Sequence, residues 1–191
     1  INGANRRGGT RVYFDESTQT RIYVHAEGYD GQQVSFCPGS AFASATNSIV
    51  FCHDEIFPDI IAHEYGHAVT NCVYNPGGTC QGIESGNVPT KALSEAFSDV
   101  NGEAFEYHQT GSADWMAGSL HVNGPTRDLI NPHDFIDEWG YRYAQRFYDE
   151  YFDCTDSPNT GGYYANATVI GHAGYLLSEG GSFNGCDVQA Q

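Results

Sequence analysis

Residues 58–70 read Pro58-Asp59-Ile60-Ile61-Ala62-His63-Glu64-Tyr65-Gly66-His67-Ala68-Val69-Thr70, and this stretch decides the helical half of the molecule. Pro58 suits a first helical turn, where its missing N–H is no loss. Ile60, Ile61, Tyr65, Ala68 and Val69 recur at helical spacing, which predicts a helix to about Thr70. On that helix His63 and His67 lie four residues apart on one face, so both can reach a single metal ion. Glu64 projects beside that ion, where it can take a proton from a water. The pattern alone is only moderately specific, because satisfied or exposed histidines also occur at this spacing. In a His-rich chain it arises by chance on the order of a percent of the time.

A second stretch agrees with the first. Residues 92–99 read Ala-Leu-Ser-Glu-Ala-Phe-Ser-Asp within a helix expected from about Thr90 to Gln109. Glu95 and Asp99 are again four apart and share a face. Zinc needs a third protein ligand and an open fourth position for water, and a carboxylate on a neighbouring helix can supply the former. Upstream, residues 11–26 alternate at Val12/Phe14 and Ile22/Val24 around a polar turn, Glu16 to Thr20, and predict a hairpin. Residues 28–55 read as loops and strands, with Ser48-Ile49-Val50-Phe51 as an edge strand. Downstream, a third, aromatic-rich helix is expected over 136–153. A fourth is expected over Asn166–Ser178, stopped by Gly180-Gly181. Strands first and helices after give an α+β protein. It reads as a single domain over 1–191, with a β-rich lobe (1–55) and a mainly helical lobe (56–191) flanking a cleft.

Composition narrows the functions. The 191 residues are enough to bury a core. Twenty-four acidic residues stand against eight basic ones, a formal charge of −16. Nucleic acid and anionic membrane surfaces would repel such a molecule, which excludes both as partners. No apolar run approaches the ~20 residues that span a bilayer. The chain starts at Ile1 in a polar, Gly-rich stretch, so it is expected to be a mature form whose targeting segment and any pro-segment have been removed. Six cysteines without a C-x-x-C pair suggest three disulfides and an oxidising compartment, hence a secreted, extracellular protein. Six cysteines allow 15 connectivities. Short loops favour Cys72–Cys80 and Cys37–Cys52, leaving Cys154–Cys186, and buried free thiols are the alternative.

Residues 41 to 181 resemble the thermolysin family of zinc metallopeptidases, the gluzincins, through the runs at 63–67 and 92–99. The resemblance implies a compact thermolysin-like zincin with a reduced N-terminal β lobe. It implies one catalytic zinc held by His63, His67 and Glu95, with Glu64 as catalytic base and Asp99 holding His63 from behind. Ala41 and Phe42 look like the family's substrate-binding edge, whose backbone pairs with an extended peptide. Arg127, in Thr-Arg-Asp-Leu-Ile-Asn-Pro, matches the arginine that binds the substrate carbonyl; the bland reading is a surface arginine in a loop. The resemblance implies that Ile60 lines the pocket for the residue after the scissile bond and favours an apolar side chain there.

The chain also departs from the family pattern. Aligning Gly161-Gly162 and Ala173-Gly174-Tyr175-Leu176 puts Tyr164 where the family has a histidine that donates to the oxyanion. The same alignment puts Asn159 where the family has the aspartate that orients that histidine. A phenol needs no carboxylate to fix its tautomer and can donate to an oxyanion. His172 is the alternative donor if the register is wrong, and is otherwise read as lying on a helix surface. Asp59, Glu106 and Asp114 match calcium ligands of the family. Met116 and Ser119 stand where it has further acids, so Met116 marks a site reduced to one structural calcium. An ordinary acidic surface is the rival, and Asp134–Glu138 reads as a solvated helix start.

These readings converge on a secreted, monomeric zinc endopeptidase acting on proteins or peptides. One rival is a zinc-binding pseudoenzyme or interaction module, against which the intact Glu64 argues. Another is an aminopeptidase, which would need an acidic anchor for a free amine. Cleavage of an N-terminally blocked peptide separates the three.

Overall fold

The computed structural model of the chain describes residues 11–15, 20–26, 28–29, 34–35, 40–43, 47–52, 56–73, 88–120, 124–137, 140–153 and 162–190. Strands β1 (Arg11–Asp15) and β2 (Thr20–Ala26) form the expected antiparallel hairpin, with Tyr13 opposite Ile22. After the short pair β3 (Gly28–Tyr29) and β4 (Val34–Ser35), strands β5 (Ala41–Ala43) and β6 (Ser48–Cys52) complete a four-stranded sheet. Its order is β1-β2-β6-β5. Ser48–Phe51 is therefore not an edge strand. It pairs in parallel with β2 on one side and antiparallel with β5 on the other, and its side chains are buried on both faces. A short apolar run without strict alternation is the pattern of an interior strand. The edge position falls to β5.

Helix α1 (Pro58–Val73) lies on this sheet, with Ala68 packed against Ile49 and Phe51. Ile22, Val24, Phe42, Ile56, Ile60, Ile61 and Tyr65 surround that cluster. Helix α2 (Val88–Thr110) packs against α1, and α3 (Gly162–Glu179) against α2. The α1–α2 approach is close because small residues face it. A Cβ on Gly66 would meet the Ser98 Cα at 3.0 Å, and one on Gly102 would meet the Asp59 carbonyl oxygen at 2.8 Å. Between α2 and α3 run the short strands β7 (Met116–Ala117) and β8 (Arg127–Asp128), and the hairpin β9 (Gly181–Phe183) with β10 (Cys186–Val188) follows α3.

The helix expected over 136–153 does not form. The described part of this segment is turns, with one bridge between Ile136 and Arg142. Its aspartates take the backbone N–H groups that a helix would need. Asp137 accepts from the Tyr141 N–H at 2.8 Å and from the Tyr143 hydroxyl at 2.7 Å. Asp149 accepts from the N–H groups of Gln145, Arg146 and Tyr151. Gly140 at φ 83° and Tyr148 at φ 59° also leave the right-handed region. Asp137 is buried, so the 134–138 run is not a solvated helix start.

Cys52 and Cys72 are each disulfide-bonded. Their expected partners Cys37 and Cys80 lie outside the described residues, as do Cys154, Asn159, Gly161 and the 16–19 turn. Cys186, exposed on the last hairpin, is a free thiol, so the Cys154–Cys186 bridge is not formed. That hairpin was not foreseen, and it carries Cys186 on an exposed strand. Among the described residues no helix is long and apolar enough to cross a membrane.

Candidate active site

Helices α1 and α2 place His63, His67 and Glu95 together, all three buried, with ligating atoms within 4.8 Å of one another. His63 Nε2 is 3.0 Å from His67 Nε2 and 3.4 Å from Glu95 Oε2, and His67 Nε2 is 3.5 Å from Glu95 Oε1. Tetrahedral zinc with Zn–N and Zn–O bonds of about 2.0–2.2 Å separates its ligand atoms by about 3.3 Å. The histidine nitrogens and the Glu95 carboxylate, each histidine facing one of its two oxygens, lie at separations of that order. This group could hold a metal ion.

The far side of each imidazole is also fixed. His63 Nδ1 lies 2.9 Å from Asp99 Oδ1, and His67 Nδ1 lies 2.9 Å from the Ser94 hydroxyl. Both partners hold Nδ1, so that each Nε2 faces the ligand group, the arrangement that orients metal-binding histidines. Ser94 was not anticipated. It precedes Glu95 by one residue, and only the packing of α1 on α2 shows that it reaches His67. Asp99 also receives Arg127 in a fork, Nε to Oδ2 and Nη2 to Oδ1, both at 2.7 Å. Arg127 Nη2 stands 3.6 Å from Glu95. The arginine is thus buried and clamped, not a surface residue.

These contacts set the charge states. Burial works against the His63 cation, but Asp99 and Glu95 outweigh it and push its pKa up to about 9. Burial also opposes ionising Glu95 and Asp99. The histidines hold Glu95 well below the usual carboxylate range, and Arg127 with His63 lowers Asp99. Arg127 is driven higher still, with desolvation outweighed by Asp99 and Glu95.

Glu64 is buried, and its carboxyl is raised, chiefly by desolvation; His63 and His67 counter this, and the Phe42 N–H donates to it. That bond ties the edge strand β5 to the helix that carries the two histidines. Phe42 itself packs in the sheet cluster, while Ala41 is exposed. Ile60 joins the same cluster, and its Cδ1 would stand 3.5 Å from a Cβ on Gly118.

Tyr164 lies within the first turn of α3, its ring facing the Arg127 guanidinium at 5.3 Å. Burial first and the Glu95 charge second push its phenol upward. His172 is not on a helix surface. It is buried with Nδ1 at 2.9 Å from the Leu129 carbonyl and Nε2 at 3.2 Å from Gln145, packed on Tyr175 and Phe183.

A second acidic group lies at the other end of α2. Glu103, Glu106 and Asp114 bring their oxygens within 4.8 Å. Glu103 was missed by the sequence reading. It is buried, its Oε2 accepts from the Trp115 N–H at 2.8 Å, and its Oε1 has no partner among the described residues. Burial above all, then the nearby Asp114, Glu106 and Asp59 charges, push its pKa up to about 8 against the Trp115 bond. Asp59 is close enough to act through its charge, but its Oδ2 accepts from the Gly118 N–H at 2.7 Å and it is not part of the converging group. The Met116 N–H donates to Asp114, and its carbonyl accepts from Ser119.

Helix α1, carrying His63, Glu64 and His67, thus packs on α2, which presents Glu95. No protein-family model matches the chain. Over 133 residues, 68% of its length, it is 32% identical to a bacillolysin of Bacillus caldolyticus and to a thermolysin of Alicyclobacillus acidocaldarius subsp. acidocaldarius. A bacillolysin of Bacillus cereus is 31% identical over the same number of residues. The chain is thus related to the thermolysin-like metallopeptidases. It spans about a fifth of the length of these curated relatives, 22% of the first two and 21% of the third.

Proposed function

We propose that the protein is a secreted zinc endopeptidase in which His63, His67 and Glu95 hold the metal and Glu64 is the general base. The observation that supports this reading is the convergence of His63 Nε2, His67 Nε2 and the Glu95 carboxylate, with ligand atoms within 4.8 Å of one another. When bound, zinc would supply a Lewis acid that polarises the scissile carbonyl and makes water more acidic. Glu64 takes a proton from the attacking water and passes it to the leaving nitrogen. Its raised pKa suits that shuttle, because a base must also be able to give the proton back. Asp99 holds the His63 tautomer, and Arg127 anchors Asp99.

The fork from Arg127 to Asp99 uses Nε and Nη2, and Nη1 is the donor we assign to the substrate carbonyl. Tyr164, whose phenol stays protonated through the usable pH range, is assigned as donor to the oxyanion. An extended peptide would add to the exposed edge of β5 at Ala41 and Phe42. Ile60 would line an apolar pocket for the residue after the scissile bond. The disulfides at Cys52 and Cys72 support an oxidising, extracellular setting. We assign a structural calcium to Glu103, Glu106 and Asp114, with Asp59 contributing charge, and expect the molecule to act as a monomer.

Digestion of an N-terminally blocked, denatured protein with and without a chelator tests the activity. Cleavage that stops with chelator and returns with zinc is expected. Glu64→Gln should keep its zinc by metal analysis yet lose hydrolysis, and near-full activity in that variant would sink the mechanism.

A further inference from the structure

We propose that Lys91, at the rim of the metal triad, is a specificity residue that takes a carboxylate of the bound peptide. The inference rests on the peptide-cleft reading of the site. Lys91 is the only lysine in a chain of formal charge −16, whose other seven basic residues are arginines. It sits on the first turn of α2, four residues before Glu95, and so on the same helix face as that ligand. Its side chain is half-buried, and among the described residues no carboxylate pairs with it.

What the ammonium meets instead is the face of Tyr163, at 5.5 Å from the ring centroid. Tyr163 packs on Tyr164 at 4.2 Å, and Tyr164 faces Arg127 at 5.3 Å. Two cations thus bracket two phenol rings, in a row that ends at Arg127. The two ends differ. Arg127 is matched by Asp99 at 2.7 Å and by Glu95 at 3.6 Å. A ring quadrupole attracts the Lys91 ammonium and holds it in place, but it offers no formal negative charge. The three N–H donors of a lysine remain available to an anion.

The rest of the molecule repels anions, with 24 acidic residues against eight basic ones. An acidic peptide approaching the metal triad needs a local cation, and Lys91 is one that no carboxylate among the described residues neutralises. Its ligand is a carboxylate, from either an acidic side chain or the peptide's C-terminus. Arg127 stays with Asp99 in both cases.

The test uses quenched peptides, blocked at both ends, that carry Glu or Gln at each position flanking the scissile bond, with a parallel set bearing a free C-terminus. With the zinc-loaded protein, Glu is expected to exceed Gln in kcat/KM by about tenfold at one position, mainly through KM, the scale of one charge-assisted hydrogen bond. Lys91→Met should bring that ratio to about one, and Lys91→Arg should retain most of it, which separates loss of charge from loss of packing. A preference confined to peptides with a free C-terminus would identify the terminal carboxylate as the ligand. Equal rates for Glu and Gln throughout, with no gain from a free C-terminus, would overturn the proposal. An unchanged ratio in Lys91→Met would do the same.

Calorimetric binding of the same peptides to zinc-loaded Glu64→Gln gives a readout independent of turnover. If no peptide is cleaved but acidic peptides bind tighter through Lys91, the peptidase reading falls and this one stands. If peptides are cleaved with no such preference, the reverse holds.

Discussion

His63, as a proposed zinc ligand, would make metal affinity depend on pH. With its pKa pushed up to about 9, it holds a proton at neutral pH in the metal-free protein. Zinc must displace that proton. Affinity should therefore rise about tenfold per pH unit from pH 7 towards pH 9, with about one proton released per ion. Competition titrations at several pH values would measure this, and a flat affinity would contradict it. The same shift sets a stability slope. The folded value lies above the unfolded value of about 6.5, so the stabilisation of the metal-free protein is complete below pH 6.5 and lost as pH rises through about 9.

Tyr164 has the opposite chemistry, since its phenol is pushed up and no proton leaves it in the working range. Activity should persist well above neutrality without a histidine limb from an oxyanion donor. Tyr164→Phe should lower kcat by about 10²–10³ with KM little changed, the usual effect of removing one oxyanion donor. His172 is committed to Leu129 and Gln145, so His172→Ala should act through stability. An unchanged kcat in Tyr164→Phe would remove the phenol from the mechanism.

At the scale of elements, periodicity made α1, α2 and α3 legible, because each buries a stripe with helical spacing. The meeting of His63 with His67 was legible for the same reason, since i, i+4 spacing on one helix becomes a shared face. Contacts between helices were not. Ser94 reaches His67, Arg127 reaches Asp99, and Glu103 turns inward only because α1, α2 and the β7–β8 region pack as they do. The false helix over 136–153 had aromatic spacing but also Asp137, Gly140 and Asp149, whose local bonds and backbone compete with a helix. Gly102 tests the α1–α2 contact. In an exposed helix Gly→Ala stabilises by about 1 kcal/mol. Here the new Cβ would press on the Asp59 carbonyl at 2.8 Å, so Gly102→Ala should instead cost about 1–3 kcal/mol. Thermal melting would read the sign.

For the whole molecule, net charge and cation binding have to be considered together. A chain at −16 gathers acids, and the group at Glu103, Glu106 and Asp114 is where burial makes that gathering costly. Glu103, at about 8 when folded and about 4.5 in the ordinary case, is stabilising in its neutral form. Its contribution is complete below pH 4.5 and lost as pH rises through about 8. A calcium ion reverses this preference by favouring the ionised carboxylate, and it raises stability by binding only the folded state. Because His63 gives a slope of the same sign between pH 6.5 and 9, the protein should be kept zinc-loaded. With a calcium-selective chelator, Tm should then fall as pH rises from 5 to 8, and calcium should restore it by roughly 5 °C or more at pH 8 and little at pH 5. Glu103→Gln should flatten the fall in chelator and blunt the calcium response, while Met116→Leu should leave both in place. A calcium effect of equal size at pH 5 and pH 8, undiminished in Glu103→Gln, would show that the ion binds elsewhere and that the buried Glu103 oxygen has no part in holding it.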